Sequence, residues 1–392
     1  MNRSDAPIYL DYQATTPTDP RVLDRMLPWF TERFGNPHSS EHRYGWEAAD
    51  AADTARRQIA ALIGATAKEI TFTSGATEAN NLAIIGAARA CATRDGRRKV
   101  ITAATEHACV LESARSLRQE GFEVVELPVD EAGMLDPGTL RRALDDKTAV
   151  VSVMAVNNEI GVIQPLAEIG RLCEEAGALF HTDAAQAVGK IALDVRQIGA
   201  ALMSVSGHKI YGPKGVGALF VRRRPRVAIE PLMHGGGQER GLRSGTLAPA
   251  LCVGLGAACE IAAREMDAEA SRLAAFRDVF LARLREGVPD VVLNGSLEHR
   301  IPGNLNVTFP GIEANELMAA LDGVSVSSGS ACSSGSGNPS HVLRAIGLDP
   351  ARVQASIRIG LGRFTTAEEV ETASRHVVDT ARRLGKWFRA AS

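Results

Sequence analysis

Short runs of apolar and β-branched residues recur through the first part of the chain, at residues 69–73, 99–102, 123–127, 149–156, 178–183, 201–205 and 217–221. Most of the intervening segments repeat apolar positions three and four residues apart, as at 77–89, 110–119 and 166–175, which predicts helices. Strands apolar at every position are covered on both faces, and strands joined by helices run parallel. The pattern predicts an α/β fold around a mainly parallel seven-stranded sheet. Ligands bind such sheets beyond the carboxyl ends of the strands, so the residues following each run are the ones to examine for chemistry.

After Gly241 the texture changes. An Ala- and Leu-rich stretch over 247–286 predicts one or two helices. Short strands near 291–293 and 304–308, a helix near 314–321, a Ser/Gly loop and a last helix from Thr366 follow. This pattern predicts a smaller α+β domain that the extreme N-terminus joins. The expected division is a large domain over 16–260 and a small one over 1–15 and 261–392.

A chain of 392 residues is long enough for that two-domain reading and for a core without disulfide or metal staples. Its 44 Lys and Arg against 46 Asp and Glu leave a net charge of −2, with no bulk attraction for nucleic acid or an anionic membrane. No apolar run reaches membrane-spanning length, and residues 1–11 carry no signal-peptide core; a cytoplasmic protein is expected. Six cysteines without a CxxC pair and nine histidines without an HExxH cluster predict neither a disulfide framework nor a resident metal.

Three strand ends carry distinctive residues. The run 69–73 leads into Ser74-Gly75-Ala76-Thr77-Glu78 and a helical pattern. Small residues at a helix N-terminus form a phosphate cup, with Ser74 or Thr77 donating; alone, the segment reads equally as a capped strand-to-helix turn. The run 178–183 ends at Asp183, a carboxylate costly to bury unless a cation meets it, or else a surface cap. The run 201–205 ends in Ser206-Gly207-His208-Lys209, 26 residues after Asp183. One strand–helix–strand crossover spans that distance and brings both side chains to one sheet edge. A lysine there can form a Schiff base.

Together the three match the anchoring needs of pyridoxal 5'-phosphate: a cup for the phosphate, Asp183 for the pyridine nitrogen and Lys209 for the aldehyde. His107, after the run 99–102, is placed to stack on the ring and shuttle protons. Five cysteines, Cys91, Cys109, Cys173, Cys252 and Cys259, sit in Ala-, Leu- or Val-rich stretches and read as core. Cys332 lies among twelve residues, 327–338, of almost pure Ser, Gly and Ala, which cannot bury a thiol and predict a reactive cysteine on a mobile loop. Beyond it, Ser356-Ile357-Arg358-Ile359 alternates like a strand and aims Arg358 at a carboxylate, with a surface salt bridge as the plainer alternative.

Thr73-Ser74-Gly75-Ala76-Thr77-Glu78, Val156-Asn157-Asn158-Glu159-Ile160-Gly161, Ser206-Gly207-His208-Lys209-Ile210-Tyr211-Gly212-Pro213-Lys214-Gly215, His234-Gly235-Gly236-Gly237-Gln238-Glu239, Arg243-Ser244-Gly245-Thr246 and Ser328-Gly329-Ser330-Ala331-Cys332 resemble the NifS/IscS-type cysteine desulfurases. These are pyridoxal-phosphate enzymes of the class V aminotransferase fold, and the resemblance runs from about Tyr9 to Thr366. It implies fold type I of the pyridoxal-phosphate transferases and a homodimer in which Thr246 reaches the partner's cofactor phosphate. It implies that Ala76 and Thr77 hold the phosphate with Ser206 and His208, Gly207 belonging to the same turn. Gln186 would contact the ring's phenolic oxygen, Asn158 and Arg358 the substrate carboxylate. Cys332 would be the sulfur acceptor, in the group with a long cysteine loop rather than the SufS-like group.

The implied reaction converts L-cysteine to L-alanine and leaves the sulfur as a persulfide on Cys332, with Lys209 moving the Cα proton and His107 managing protons. The persulfide goes to an acceptor, such as an iron–sulfur scaffold, and Cys332 is the candidate transient iron–sulfur ligand. IscS-like members continue past the last helix into a scaffold-docking tail, whereas this sequence ends at Ser392, so a nitrogenase-associated role stays as open as a housekeeping one. Two alternatives stand beside this reading. One is a lyase of the same fold acting on selenocysteine or cysteine sulfinate. The other is a cofactor-bearing docking subunit, with the basic run Arg222-Arg223-Arg224-Pro225-Arg226 receiving an acidic partner or forming only a solvated strand end.

Overall fold

Seven strands form one sheet in the computed structural model of the protein, which describes residues 6–328 and 339–385. In chain order, a short N-terminal strand β1 (Ile8–Tyr9) precedes β2 (Ile70–Thr73), β3 (Lys99–Ala103), β4 (Glu123–Leu127), β5 (Thr148–Ser152), β6 (Leu179–Asp183), β7 (Leu202–Ser206) and β8 (Gly217–Val221). The seven from β2 to β8 are ordered β2-β8-β7-β6-β5-β3-β4, and only β8 runs antiparallel to its neighbours.

The unbroken apolar runs follow from helices on both faces. Ile101, Val151, Phe180, Met203 and Phe220 enter one core, with the helices Arg43–Leu62 and Leu166–Glu175. Their sequence neighbours Val100, Val150, Leu179, Leu202 and Leu219 enter a second core on the other face. That face is covered by the helical run beginning at Ala76 and by the helix Ala108–Ser116.

Three expectations differ in detail. The strand expected over 149–156 stops laddering at Ser152, although Val153 and Ala155 still donate to His181 O and Asp183 O. Between β6 and β7 the chain crosses through turns, with no helix among the elements there. The single helix expected over 77–89 is Ala76–Asn81, a π-turn over Leu82–Gly86, and Ala87–Asp95. Such π-turns recur beside functional sites, and this one follows directly on the cup.

A smaller antiparallel sheet, ordered β12-β10-β9, comprises β9 (Val292–Leu293), β10 (Asn304–Thr308) and β12 (Ser356–Gly360); β1 pairs separately with β11 (Val324–Ser325). Leu305, Val307, Ile357 and Ile359 build a separate core with the last helix, Ala367–Leu384. One helix of 39 residues, Pro249–Gly287, joins the two regions: Cys252 to Ile261 pack in the first core and Leu273 to Leu284 in the last. Residue 260, the expected boundary, falls inside this helix. Among the described residues no helix is long and apolar enough to cross a membrane.

Within the main sheet, His181 is fully buried between Ser152 Oγ (2.8 Å from Nδ1) and Ser204 Oγ (3.0 Å from Nε2). Burial lowers its pKa to about 3. An unfolded histidine titrates near ~6.5, so below that pH the unfolded chain takes up a proton the folded one refuses. Stability from this site is full above that pH and declines as pH falls toward the folded value. Urea midpoints at pH 7, 6 and 5 should therefore drop, and in His181→Gln the slope should flatten by about one proton. An unchanged slope would place the proton uptake elsewhere.

Candidate active site

The edge of the sheet where β2, β3, β5, β6 and β7 end borders a cavity of about 420 Å³. Because β2 and β7 are each antiparallel to β8 between them, they point the same way, and Gly217 of β8 pairs with both Thr73 and Ser206. A Cβ on Gly217 would stand 2.7 Å from Gly75 Cα, so only glycine lets the Ser74-Gly75 turn settle there. Ser74, Gly75, Ala76 and Thr77 line the cavity beside Ser206 and His208. Ala76 opens a helical run, whose first N–H groups no helical carbonyl can reach. Glu78 pins the turn: its Oε2 accepts the Ser74 N–H at 2.8 Å, and its Oε1 pairs with Arg243 Nε at 2.8 Å.

Lys209 ends a short 3₁₀ turn, Gly207–Lys209, directly after β7, and its Nζ donates to Gln13 O (2.6 Å) and Ala14 O (2.7 Å). His208 Nδ1 lies 3.0 Å from Thr15 Oγ1. Burial, with Lys209 and Lys214 nearby, lowers its pKa to about 4. Gly207 is buried and does not line the cavity; a Cβ on it would stand 2.8 Å from Pro213 O.

Asp183 is the last residue of β6, the strand beside β7, and is 4% exposed. Its carboxylate accepts from Asn80 Nδ2 (2.7 Å) and Ala185 N–H (2.9 Å). Both donors are neutral, and among the described residues no Lys or Arg forms an ion pair with it. A buried carboxylate in that state calls for a cation from a bound group.

His107 caps the helix Ala108–Ser116; its Nδ1 accepts the Cys109 N–H (3.1 Å) and lies 3.0 Å from Cys109 Sγ. With Nδ1 accepting, the neutral ring carries its proton on Nε2. Asn80 Nδ2 reaches the same sulfur at 3.2 Å, so a chain of contacts runs Asp183–Asn80–Cys109–His107. This corrects the core assignment of Cys109, which is half-buried and lines the cavity; the other four described cysteines are buried. Glu106, next in line, is fully buried, and burial pushes its carboxyl well above the usual range.

The opposite wall comes from the small sheet. Arg358 of β12 projects away from the core that takes Ile357 and Ile359, lines the cavity and is 1% exposed. Its guanidinium is held by Asp11 Oδ1 (2.7 Å) and Asn158 O (2.8 Å), and Asn158 lines the cavity with it. Gln186 completes the floor. Thr246 is exposed and stands in a neighbouring groove with Ser74 and Gly215, not in the cavity. Cys332 lies outside the described residues. Arg222, Arg223 and Arg224 line a separate groove of about 910 Å³ with Lys68 and Arg196.

The aminotransferase class V family matches residues 8–372. The chain belongs to that family. Curated relatives within it include a cysteine desulfurase of Pongo abelii, 55% identical over 96% of this chain and 82% of its own length. Another is the cysteine desulfurase IscS of Rickettsia bellii (strain OSU 85-389), 52% identical over 98% and 93%. Among solved structures, a NifS-like protein superposes with a TM-score of 0.88 at 37% identity, covering 95% of this chain and 98% of its own.

Class V aminotransferases depend on pyridoxal phosphate, and the cavity fits that group. It offers a cup of helix-N-terminal N–H groups for the phosphate, a buried carboxylate that meets no cation among the described residues for the pyridine nitrogen, and a lysine amine in the same cavity. Asn80, Cys109 and the carbonyls of Gln13 and Ala14 were not visible as site residues in the sequence. Only Asn80 left a trace, three residues after Thr77 and therefore on the same helix face.

Proposed function

We propose that this class V chain is a homodimeric cysteine desulfurase that releases L-alanine from L-cysteine and stores the sulfur on Cys332. The juxtaposition of the Lys209 amine, the Asp183 carboxylate and the Arg358–Asn158 pair in one cavity carries the reading. It is supported by the relatives named cysteine desulfurase over nearly the whole chain. Bound there, pyridoxal phosphate supplies an electron sink for negative charge at the Cα of an attached amino acid.

The chain's own residues do the rest. Arg358 and Asn158 hold the substrate carboxylate, and Asp11 fixes the Arg358 fork. Asp183 would hold the pyridine nitrogen in its protonated state, and the cup with His208 and Ser206 would hold the phosphate. Lys209 would hold the aldehyde, and its Nζ, at the cavity wall, would act as the base for the Cα proton of the bound amino acid. His107, with its proton on Nε2, serves the sulfur side. The Cys332 thiolate then attacks the substrate's sulfur. An S–S bond forms, the C–S bond breaks with its electron pair going to Cβ, and protonation of Cβ together with return of a proton to Cα completes alanine.

The dimer reading rests on two features of segments away from the cavity. Leu27, Phe30, Phe34, Tyr44 and Trp46, each more than half exposed, fall within residues 27–46, large apolar side chains that a second copy would cover. Thr246 lies exposed beside the cup's outer side, free to approach a partner's phosphate. The persulfide's onward acceptor is a sulfur-carrier or scaffold protein of iron–sulfur assembly.

Native mass spectrometry after incubation with L-cysteine tests these statements together. It should record a species of twice the chain mass, and peptide mapping should place one added sulfur per chain on Cys332 with alanine released in solution. Alanine without added sulfur would instead point to the sulfinate- or selenocysteine-lyase reading, and a monomer of full activity would remove the role of Thr246.

A further inference from the structure

Behind Gln186, on the side away from the cavity, Lys190 donates from Nζ to Gln186 Oε1 at 2.6 Å. The two residues are four apart in the turns that follow β6, where Lys190 N–H bonds Ala187 O. Gln186 is 3% exposed, and its Nε2 donates to Gln13 O at 2.8 Å. That same carbonyl accepts from Lys209 Nζ at 2.6 Å. Lys190, Gln186 and Lys209 therefore meet on one hydrogen-bonded path.

We propose that Lys190 is a positioning residue for the cofactor's phenolic oxygen, setting the orientation of the Gln186 amide so that Nε2, not Oε1, is presented toward the cavity. An ammonium has three donors and no acceptor, so it can meet only the amide oxygen. The amide cannot turn over without facing its N–H₂ to that ammonium. One Nε2–H goes to Gln13 O, and the second is left for an anionic oxygen in the cavity. An amide oxygen turned to that position would instead repel a phenolate.

Lys190 acts through Gln186 and not on substrate. It lies outside the catalytic cavity, and the groove it lines with Tyr12, Tyr211 and Glu269 holds only about 20 Å³. Burial, reinforced by Lys209 and eased by Glu269, lowers its pKa to about 7; Arg358 adds to the lowering. The protonated amine is the form that enforces this orientation, since a neutral amine carries a lone pair able to accept from Nε2.

This inference rests on the cofactor reading above, and the test separates the two. The holoenzyme's bound cofactor is titrated by visible absorbance in the parent, Lys190→Met, Lys190→Arg, Gln186→Ala and the Lys190→Met/Gln186→Ala double variant. Loss of the donor destabilises the phenolate, so the titration midpoint of Lys190→Met should rise by about one pH unit. Lys190→Arg should return most of the shift, and the double variant should add nothing to Gln186→Ala. A midpoint unmoved in Lys190→Met, or fully additive shifts in the double variant, would overturn the proposal. A parent with no titrating visible absorbance would overturn the cofactor reading instead. If Lys190→Met does not fold, Lys190→Gln, which keeps a donor amide but no charge, should hold the midpoint within a few tenths of the parent, and a full-unit rise would count against the assignment.

Discussion

Lys209→Ala should abolish desulfuration, by ~10⁴-fold or more, while leaving the fold and the phosphate cup intact. The expectation follows from two tasks falling on one atom. In the proposed mechanism Nζ would both hold the aldehyde and serve as the base for the Cα proton, and positioned proton transfer alone contributes ~10²–10⁴-fold. The backbone geometry that delivers this atom does not depend on its side chain. The turn after β7 is set by Gly207 N–H to Val216 O and Ile210 N–H to Gly207 O, contacts an alanine retains. Borohydride reduction followed by peptide mapping reads the result directly. In the parent the cofactor should be fixed on Lys209, and in the variant no peptide should carry it. Two other amines make the mapping informative: Lys214 lines the same cavity, and Lys190 lies just behind it. Cofactor fixed on either one in the parent would reassign the site.

The second large effect is on Cys332. Cys332→Ala should lower alanine release by roughly three orders of magnitude or more, the scale of deleting the nucleophile from a covalent mechanism. The half of the reaction that belongs to Lys209 should survive. The variant should still bind cofactor with unchanged absorbance and exchange the Cα hydrogen of L-cysteine for deuterium, seen by NMR. That split between retained exchange and lost alanine locates the thiol's role after Cα deprotonation. Undiminished alanine would mean that the carbon–sulfur bond breaks without an attacking thiol. Cys109, the cavity-lining cysteine 3.0 Å from His107 Nδ1, is the control, since its removal should leave sulfur on Cys332.

The main sheet was legible because its runs are short, rich in β-branched residues and alternate with helix-periodic segments, which together separate buried strands from buried helix. Boundaries held where the chain changes character sharply, as at 123–127 and 217–221. They slipped at 149–156, where an apolar stretch continues beyond the ladder on bonds to β6 carbonyls. The helix Arg43–Leu62 leaves only a faint apolar stripe in the sequence because its buried positions are mostly alanine, with a buried Arg56 among them. Arg56 is tolerated there because it meets Glu239 and the Ile70 carbonyl, partners far away in sequence.

Site residues at strand ends could be found because topology alone brings Thr77, His107, Asp183 and Lys209 to one edge. Residues that support them could not. Cys109 sits in an apolar stretch like any core cysteine, and its contact with His107, two residues before it at the helix N-cap, is not marked in the sequence. The carbonyls of Gln13 and Ala14 have no side-chain signature at all, and they reach the cavity because the N-terminal segment bonds to both regions, at His208 O and Gly360 O. The four-residue spacing of Gln186 and Lys190 was visible, but nothing marks it without knowing that the segment winds in turns.

The 39-residue helix has a mechanical meaning for catalysis. It is rooted at one end beneath the strand that delivers Lys209 and at the other beneath the strand that delivers Arg358. Past Pro249 it contains no proline to bend at. A rigid strut of this kind sets the span between amine and guanidinium as a caliper sets a gap. Amino acids share the same carboxylate-to-amine spacing, so every one of them fits that gauge equally. Discrimination in favour of cysteine must then be exercised at the side chain, by whatever thiol is brought to its sulfur.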